Sequence, residues 1–120
     1  MILIADDDAA VRSAIGRLLS RAGYDIAEAE DGDAALAAVE ARLPALILLD
    51  ILMPGRDGIE TLLELRNHHP ELPIVVASGG DRKGWRGALD DALALGATAA
   101  IGKPFEATEL LDTVKTCLGR

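Results

Sequence analysis

The stretch Leu46-Ile47-Leu48-Leu49-Asp50 runs four aliphatic residues directly into one carboxylate, and the turn residues Met53-Pro54-Gly55 follow closely. A short apolar run that is bounded by turn residues is typical of a strand buried on both faces of a sheet. In open α/β sheets, ligands bind in the crevice outside the carboxyl ends of the strands. Asp50 is the last residue of this predicted strand. It is therefore the first candidate for a functional residue.

Length and composition indicate one acidic domain with an aliphatic core. The chain has 120 residues, 50% of them hydrophobic, which is enough for a single core. We expect one domain over 1–120, with no output domain in this chain. Its Phe, Tyr and Trp residues are Tyr24, Trp85 and Phe105 alone. The formal net charge of −8 argues against direct binding of nucleic acid, because phosphate recognition needs a basic surface.

Cysteine usage and hydropathy predict a cytoplasmic protein. Cys117 is the single cysteine, which excludes a disulfide within the chain and a cysteine-based zinc site. The apolar run near the N-terminus is too short for a signal peptide and has no basic leader. No stretch approaches the roughly 18 apolar residues of a membrane span. We therefore expect no membrane association.

Segments typical of strands and helices alternate five times along the chain. The predicted strands are 2–5, 25–29, 46–50, 74–77 and 98–101. The predicted helices are one that follows Asp8 and reaches Ala22, then 34–41, 59–67, 88–95 and a last one from Thr108, with 81–87 either a loop or the frayed start of the fourth helix. Asp8 and Thr108 are predicted N-caps, and Gly23 and Gly96 predicted helix ends. This alternation is typical of a doubly wound parallel sheet with helices on both faces. The second strand alternates polar and apolar residues, which favours a place near an edge.

Polar side chains follow four of these strands where each strand ends. They are Asp6 and Asp7, Asp50, Ser78, and Lys103. Three carboxylates at one edge repel each other unless a cation lies among them, and an all-oxygen cluster suits Mg²⁺ or Mn²⁺. Such a site fits a phosphoryl group. Asp50 would be the nucleophile that forms an aspartyl phosphate, with Lys103 as a positive charge and Ser78 as a hydrogen-bond donor.

These motifs resemble the receiver domains of two-component response regulators. The resemblance covers the whole chain and is carried, in order, by the segments 2–8, 50–58, 96–97 and 103–105, which read Ile-Leu-Ile-Ala-Asp-Asp-Asp, Asp-Ile-Leu-Met-Pro-Gly-Arg-Asp-Gly, Gly-Ala and Lys-Pro-Phe. It implies a flavodoxin-like, CheY-like (βα)5 fold with a five-stranded parallel sheet in the order 2-1-3-4-5. It also implies a phosphoacceptor that catalyses its own phosphorylation and dephosphorylation rather than an enzyme acting on other substrates.

The resemblance implies a role for each site residue. Asp6 and Asp7 would be the metal-binding acids and Asp50 the phosphoacceptor, while Leu52 would offer its backbone carbonyl to the metal. Ser78 and Lys103 match the family's hydroxyl and lysine, and the Lys103–Pro104 bond would be cis.

The resemblance also implies partners. The phosphoryl donor would be a sensor histidine kinase or a histidine phosphotransfer protein. An unidentified protein target would bind the surface of the fourth helix, fifth strand and fifth helix. The chain would be a monomer or a dimer that forms on phosphorylation.

Two features depart from the family pattern. Ala100 stands where the family carries Tyr or Phe, so the usual rotation of an aromatic ring is absent, and Trp85 is the nearest aromatic that could substitute. The segment before the fourth helix is longer than usual and contains four glycines within 79–87. Trp85 there adjoins Arg86 and two other basic residues. It forms either a binding patch or a packed cover on the helix.

Two other functions are consistent with parts of the sequence. A receiver-like scaffold that binds its partner independently of phosphorylation would agree with Ala100. A small phosphohydrolase working through an aspartyl phosphate would need a second acid two residues after Asp50, where the chain has Leu52.

Overall fold

A computed structural model describes residues 1–51, 58–79, 85–103 and 105–119. It confirms five strands that alternate with five helices. The strands are β1 (Ile2–Ala5), β2 (Ile26–Ala29), β3 (Leu46–Asp50), β4 (Ile74–Gly79) and β5 (Ala99–Lys103). The helices are α1 (Ala9–Arg21), α2 (Gly32–Ala41), α3 (Gly58–His68), α4 (Trp85–Ala94) and α5 (Ala107–Cys117).

All strands are parallel and lie in the order β2-β1-β3-β4-β5, as the resemblance implied. The register pairs Ala5 with Leu49, and Asp50 with Ala77. β2 lies at an edge, as its alternating pattern predicted. Strand order reverses between β1 and β3, so the crevice expected in such sheets lies outside the carboxyl ends of these two strands.

Each face of the sheet carries its own aliphatic core. Ile47 and Leu49 of β3 belong to the cluster that α2, α3 and α4 cover, whereas Leu46 and Leu48 belong to the cluster under α1 and α5. Within the described part of the chain, the buried members of both clusters are all Ala, Val, Ile or Leu, as the composition predicted. β3 therefore contributes side chains to both cores, which explains its unbroken apolar run.

Local signals set most helix ends. The Asp8 side chain accepts hydrogen bonds from the backbone N–H groups of Ala10 and Val11, at 2.9 and 3.3 Å, which confirms the predicted N-cap. Gly23 and Gly96 end helices with φ angles of 98° and 113°, a conformation that favours glycine.

One predicted helix cap was wrong, and two helices begin earlier than their predicted ranges. The N-cap of α5 is Glu106, which makes no side-chain capping bond, and Thr108 lies inside the helix. α2 begins at Gly32 rather than at 34, and α4 begins at Trp85, within the segment predicted as a loop or a frayed helix start, so Gly87 lies within α4. A cap or a glycine changes helix stability by only about 1 kcal/mol, which is less than the gain from burying a helix face against a sheet.

None of the described helices is long and apolar enough to span a membrane.

Candidate functional site

Three carboxylates converge at the carboxyl edge of the sheet. Asp6 directly follows β1 and Asp50 ends β3, and they are only 3% and 7% exposed, whereas Asp7 is exposed. One carboxylate oxygen from each residue lies within 4.8 Å of the corresponding oxygens of the other two. Pairing of β1 with β3 places the strand ends side by side, and it thereby brings the predicted acids together.

Asp6 is held by hydrogen bonds at three of its atoms. Its Oδ1 accepts from the backbone N–H of Asp8 at 2.9 Å, and its own N–H donates to the carbonyl of Ala29 at 3.1 Å. Its carbonyl oxygen accepts from Nη1 of Arg12 at 2.7 Å. Sequence reasoning missed Arg12. The signal was a basic residue in the first turn of the helix that follows the acids, but its direction could not be read from the pattern.

Ser78 brings a hydroxyl to the same edge. It lies in β4 one residue beyond Ala77, the partner of Asp50, and pairs with Gly102 of β5. The residue is fully buried, and its Oγ has no hydrogen-bond partner among the described residues. A buried hydroxyl that lacks a partner costs about 1–3 kcal/mol. Such a group is unusual in a stable fold, and it favours a bound acceptor at this position.

Gly58 returns the chain to the end of β3. Its N–H donates to the carbonyl of Ile51 at 2.8 Å. A Cβ on Gly58 would lie 2.5 Å from the carbonyl oxygen of Asp50 and 2.7 Å from that of Ile51, so no side chain fits without a shift of the backbone. The start of α3 thus supports the backbone of Asp50. Gly58 belongs to the sequence motif 50–58, but the motif did not predict its contact with the backbone at the end of β3.

Two predicted site residues lie wholly or partly outside the described structure. The backbone of Lys103 is the last position of β5, in register with Gly79, and its side chain is outside the described residues. Leu52 and Pro104, with the predicted cis bond, are also outside them. The roles of Lys103 and Leu52 therefore stay predictions.

The residues considered for the switch lie on β5 and α4. Ala100 is half-buried, pairs with Val76 and packs against the core under α2, α3 and α4. The backbones of Trp85 and Arg86 form the start of α4, while their side chains, like most of the glycine-rich segment before them, lie outside the described residues.

The donor set is compatible with a divalent cation. In an octahedral Mg²⁺ site with bonds of about 2.1 Å, two ligand atoms lie at most about 4.2 Å apart. The carboxylate oxygens of Asp6, Asp7 and Asp50, within 4.8 Å of one another, would meet this limit after a small side-chain rotation. Hard oxygen ligands of this kind suit Mg²⁺ or Mn²⁺.

The fold and the site define a class of protein, and comparison with known proteins identifies that class. The family model described as "Response regulator receiver domain" matches residues 2–115, so the chain belongs to the response regulator receiver family. Family membership supports a two-component phosphoacceptor function. It does not favour the phosphohydrolase or the phosphorylation-independent scaffold.

Particular relatives are response regulators. The chain is 40% identical over 119 residues to response regulator MprA of Mycolicibacterium vanbaalenii, covering 99% of this chain and 50% of that protein. MprA of Mycobacterium avium is also 40% identical, with 51% of its length covered. The chain thus spans about half the length of the curated relatives it matches.

Solved structures show the same fold. The receiver domain of NtrX from Brucella abortus superposes with a TM-score of 0.93 at 37% identity, covering 99% of this chain and 98% of that one. A putative response regulator from Chloroflexus aurantiacus gives a TM-score of 0.91 at 33% identity, covering 99% and 97%. The predicted fold class is therefore confirmed.

Proposed function

We propose that this receiver domain accepts a phosphoryl group on Asp50 and responds by changing its affinity for a partner protein. Family membership supports the general function. The observation that carries the assignment to this residue is the meeting, at one edge of the sheet, of three carboxylates and a buried hydroxyl that has no partner within the described part of the chain. Asp50 ends the central strand of that edge, between β1 with Asp6 and β4 with Ser78.

The transfer needs a phosphoryl donor with a good leaving group. An Oδ atom of Asp50 attacks the phosphorus of a phosphohistidine on the kinase or phosphotransfer protein. The O–P bond forms as the P–N bond breaks, and the bonding electron pair passes to the imidazole nitrogen. Self-catalysed hydrolysis reverses the modification when water attacks the phosphorus and the Asp50 carboxylate leaves.

Asp6, Asp7 and Asp50 would hold the divalent ion, Mg²⁺ or Mn²⁺, together with the backbone carbonyl of Leu52. When bound, the ion neutralises charge on the transferring phosphoryl oxygens. Asp6 keeps its carboxylate directed by accepting from the N–H of Asp8. The proposed positive charge from Lys103 acts on the same oxygens.

Ser78 connects the site to the rest of the sheet. A phosphoryl oxygen on Asp50 would give its Oγ the hydrogen-bond acceptor that the buried hydroxyl lacks. Satisfying such a group contributes about 1–3 kcal/mol, enough to shift a two-state equilibrium by about 5- to 150-fold. β4 leads into α4 and pairs with β5, so the proposed route of the signal is toward α4, β5 and Ala100.

The site suits a cytoplasmic protein that acts through protein partners, as a monomer or as a dimer formed on phosphorylation. The negative net charge of −8 supports a protein target over nucleic acid for this domain.

Phosphorylation by acetyl phosphate with Mg²⁺ tests the assignment. Intact mass spectrometry should show one added phosphoryl group on the native chain. Asp50→Asn should remove it, because the amide is not a nucleophile here. Asp112→Asn changes an exposed carboxylate on α5 and should label like the native chain. Undiminished labelling of Asp50→Asn would overturn the proposal.

A further inference from the structure

We propose that Arg12 is a positioning residue for metal binding, because it holds the peptide unit that joins Asp6 to Asp7. This inference rests on the proposed function of these two acids as metal ligands. It concerns a residue outside the ligand set.

Arg12 bridges the ends of two strands. From the first turn of α1, its Nη1 donates to the carbonyl oxygen of Asp6 at 2.7 Å, and its Nε donates to Oε1 of Glu28 in β2 at 3.1 Å. The Arg12 side chain is only 16% exposed. Two acceptors on different elements therefore hold the planar guanidinium in one orientation.

The bond to Asp6 acts on Asp7. The carbonyl of Asp6 and the N–H of Asp7 belong to one planar peptide unit, so the orientation of that carbonyl sets the direction in which the chain leaves β1. The Asp7 side chain is exposed and makes no hydrogen bond in the described part of the chain. The aim of its carboxylate toward Asp6 and Asp50 therefore depends on the backbone.

The Asp6 carboxylate has a separate support. Its Oδ1 accepts from the N–H of Asp8, which the capping position of Asp8 at α1 holds in place. The two acids are thus oriented by different donors, Asp6 by Asp8 and Asp7 through Arg12. Groups that orient metal ligands without touching the metal typically change affinity by 10–100-fold when they are replaced.

Positioning and simple electrostatics predict opposite outcomes. If Arg12 acted only as a nearby positive charge, its removal would strengthen cation binding, because a like charge would be gone. If it orients Asp7, its removal weakens binding in spite of the lost repulsion. Lysine keeps the charge but replaces the two-donor fork by a single ammonium group, so it should not restore the geometry.

The experiment measures Mn²⁺ affinity of the unphosphorylated protein by titration calorimetry or by electron paramagnetic resonance. We expect Arg12→Gln and Arg12→Lys to weaken Mn²⁺ binding by about tenfold. Glu28→Ala, which frees the guanidinium but leaves Arg12 in place, should weaken it less. Arg17→Gln removes an exposed arginine of the same helix and should bind like the native chain. Urea unfolding in EDTA measures the stability of each variant without metal.

Asp7→Asn separates this inference from the proposed function. If it leaves Mn²⁺ affinity unchanged, the metal site itself is misassigned and the inference falls with it. If it weakens binding, the site stands and the Arg12 variants decide. If folded Arg12→Gln binds Mn²⁺ as tightly as the native chain or more tightly, the positioning role of Arg12 is overturned. If the Arg12 variants lose stability in EDTA but keep their Mn²⁺ affinity, Arg12 only joins α1 to β2. This outcome would also overturn the positioning role.

Discussion

Along β3, Leu49 and Asp50 are neighbours with nearly equal burial, but their surroundings are of opposite kinds. Leu49 is fully buried among aliphatic side chains of the core under α2, α3 and α4. Asp50 is 7% exposed and lies beside two other carboxylates. The strand interior therefore lowers the free energy of the folded state by burying apolar area, whereas its last residue brings a carboxylate next to two like charges, which repel it.

β4 repeats the contrast. Val75 and Val76 are fully buried in the two cores, while Ser78 is fully buried with a hydroxyl for which the described residues offer no partner. Both strands thus place their unfavourable groups at the same edge. Unsatisfied or repelling polar groups that cluster in one crevice are typical of a binding site, because a ligand can relieve them. Along each strand, the residues that stabilise the core and the residue proposed to act in the site are only one or two positions apart.

The largest expected effect is at Leu49. Leu49→Ala should lower the free energy of unfolding by about 3 kcal/mol, because it removes a buried side chain and leaves a cavity. Urea unfolding in EDTA measures this change. Leu43→Ala is the matched control, since Leu43 is 60% exposed and should change stability little. A loss as small as that of the control would show that the strand interior does not dominate stability.

At the next residue, Asp50, the free energy of unfolding should change in the opposite direction. Asp50→Asn should raise the free energy of unfolding in EDTA by about 1.5 kcal/mol, because it removes one of three neighbouring charges. Adding Mg²⁺ should stabilise the native chain more than the variant, since at a given ligand concentration tighter binding stabilises the folded state more, as the logarithm of the ligand concentration divided by Kd. Asp112→Asn provides the exposed control. Destabilisation by Asp50→Asn would break the contrast between the strand and its end.

The smallest expected change in stability is at Asp8, which lies next to the acidic edge of the sheet. Asp8 is a carboxylate beside Asp7, yet it caps α1 and should stabilise the fold. Asp8→Ala should lower the free energy of unfolding by about 1 kcal/mol, as expected for loss of an N-cap, and Asp8→Asn should retain most of the stability. Chemical unfolding of the two variants measures the difference. Equal stability of Asp8→Ala and Asp8→Asn would show that the capping bonds contribute nothing.

The fold was predictable from local patterns because the apolar residues of each helix and strand recur with the spacing of that element. The apolar run before Asp50, the cap at Asp8 and the end of α1 at Gly23 all rest on residues adjacent in sequence. The strand order followed from family resemblance rather than from periodicity. The start of α5 was not predictable from Thr108, because packing of the helix face outweighs the weak preference of a capping residue.

The sequence by itself determined the class of fold and the acids that end its strands, since alternation of apolar runs and terminal carboxylates is a local property. Only the tertiary structure decided how these residues meet. Arg12 reaches the carbonyl of Asp6, and Gly58 lies against the backbone of Asp50. Ser78 is buried, and its hydroxyl finds no partner in the part of the chain that the structure describes. Each of these depends on the distances and directions of groups on different elements, which the separation along the chain does not specify.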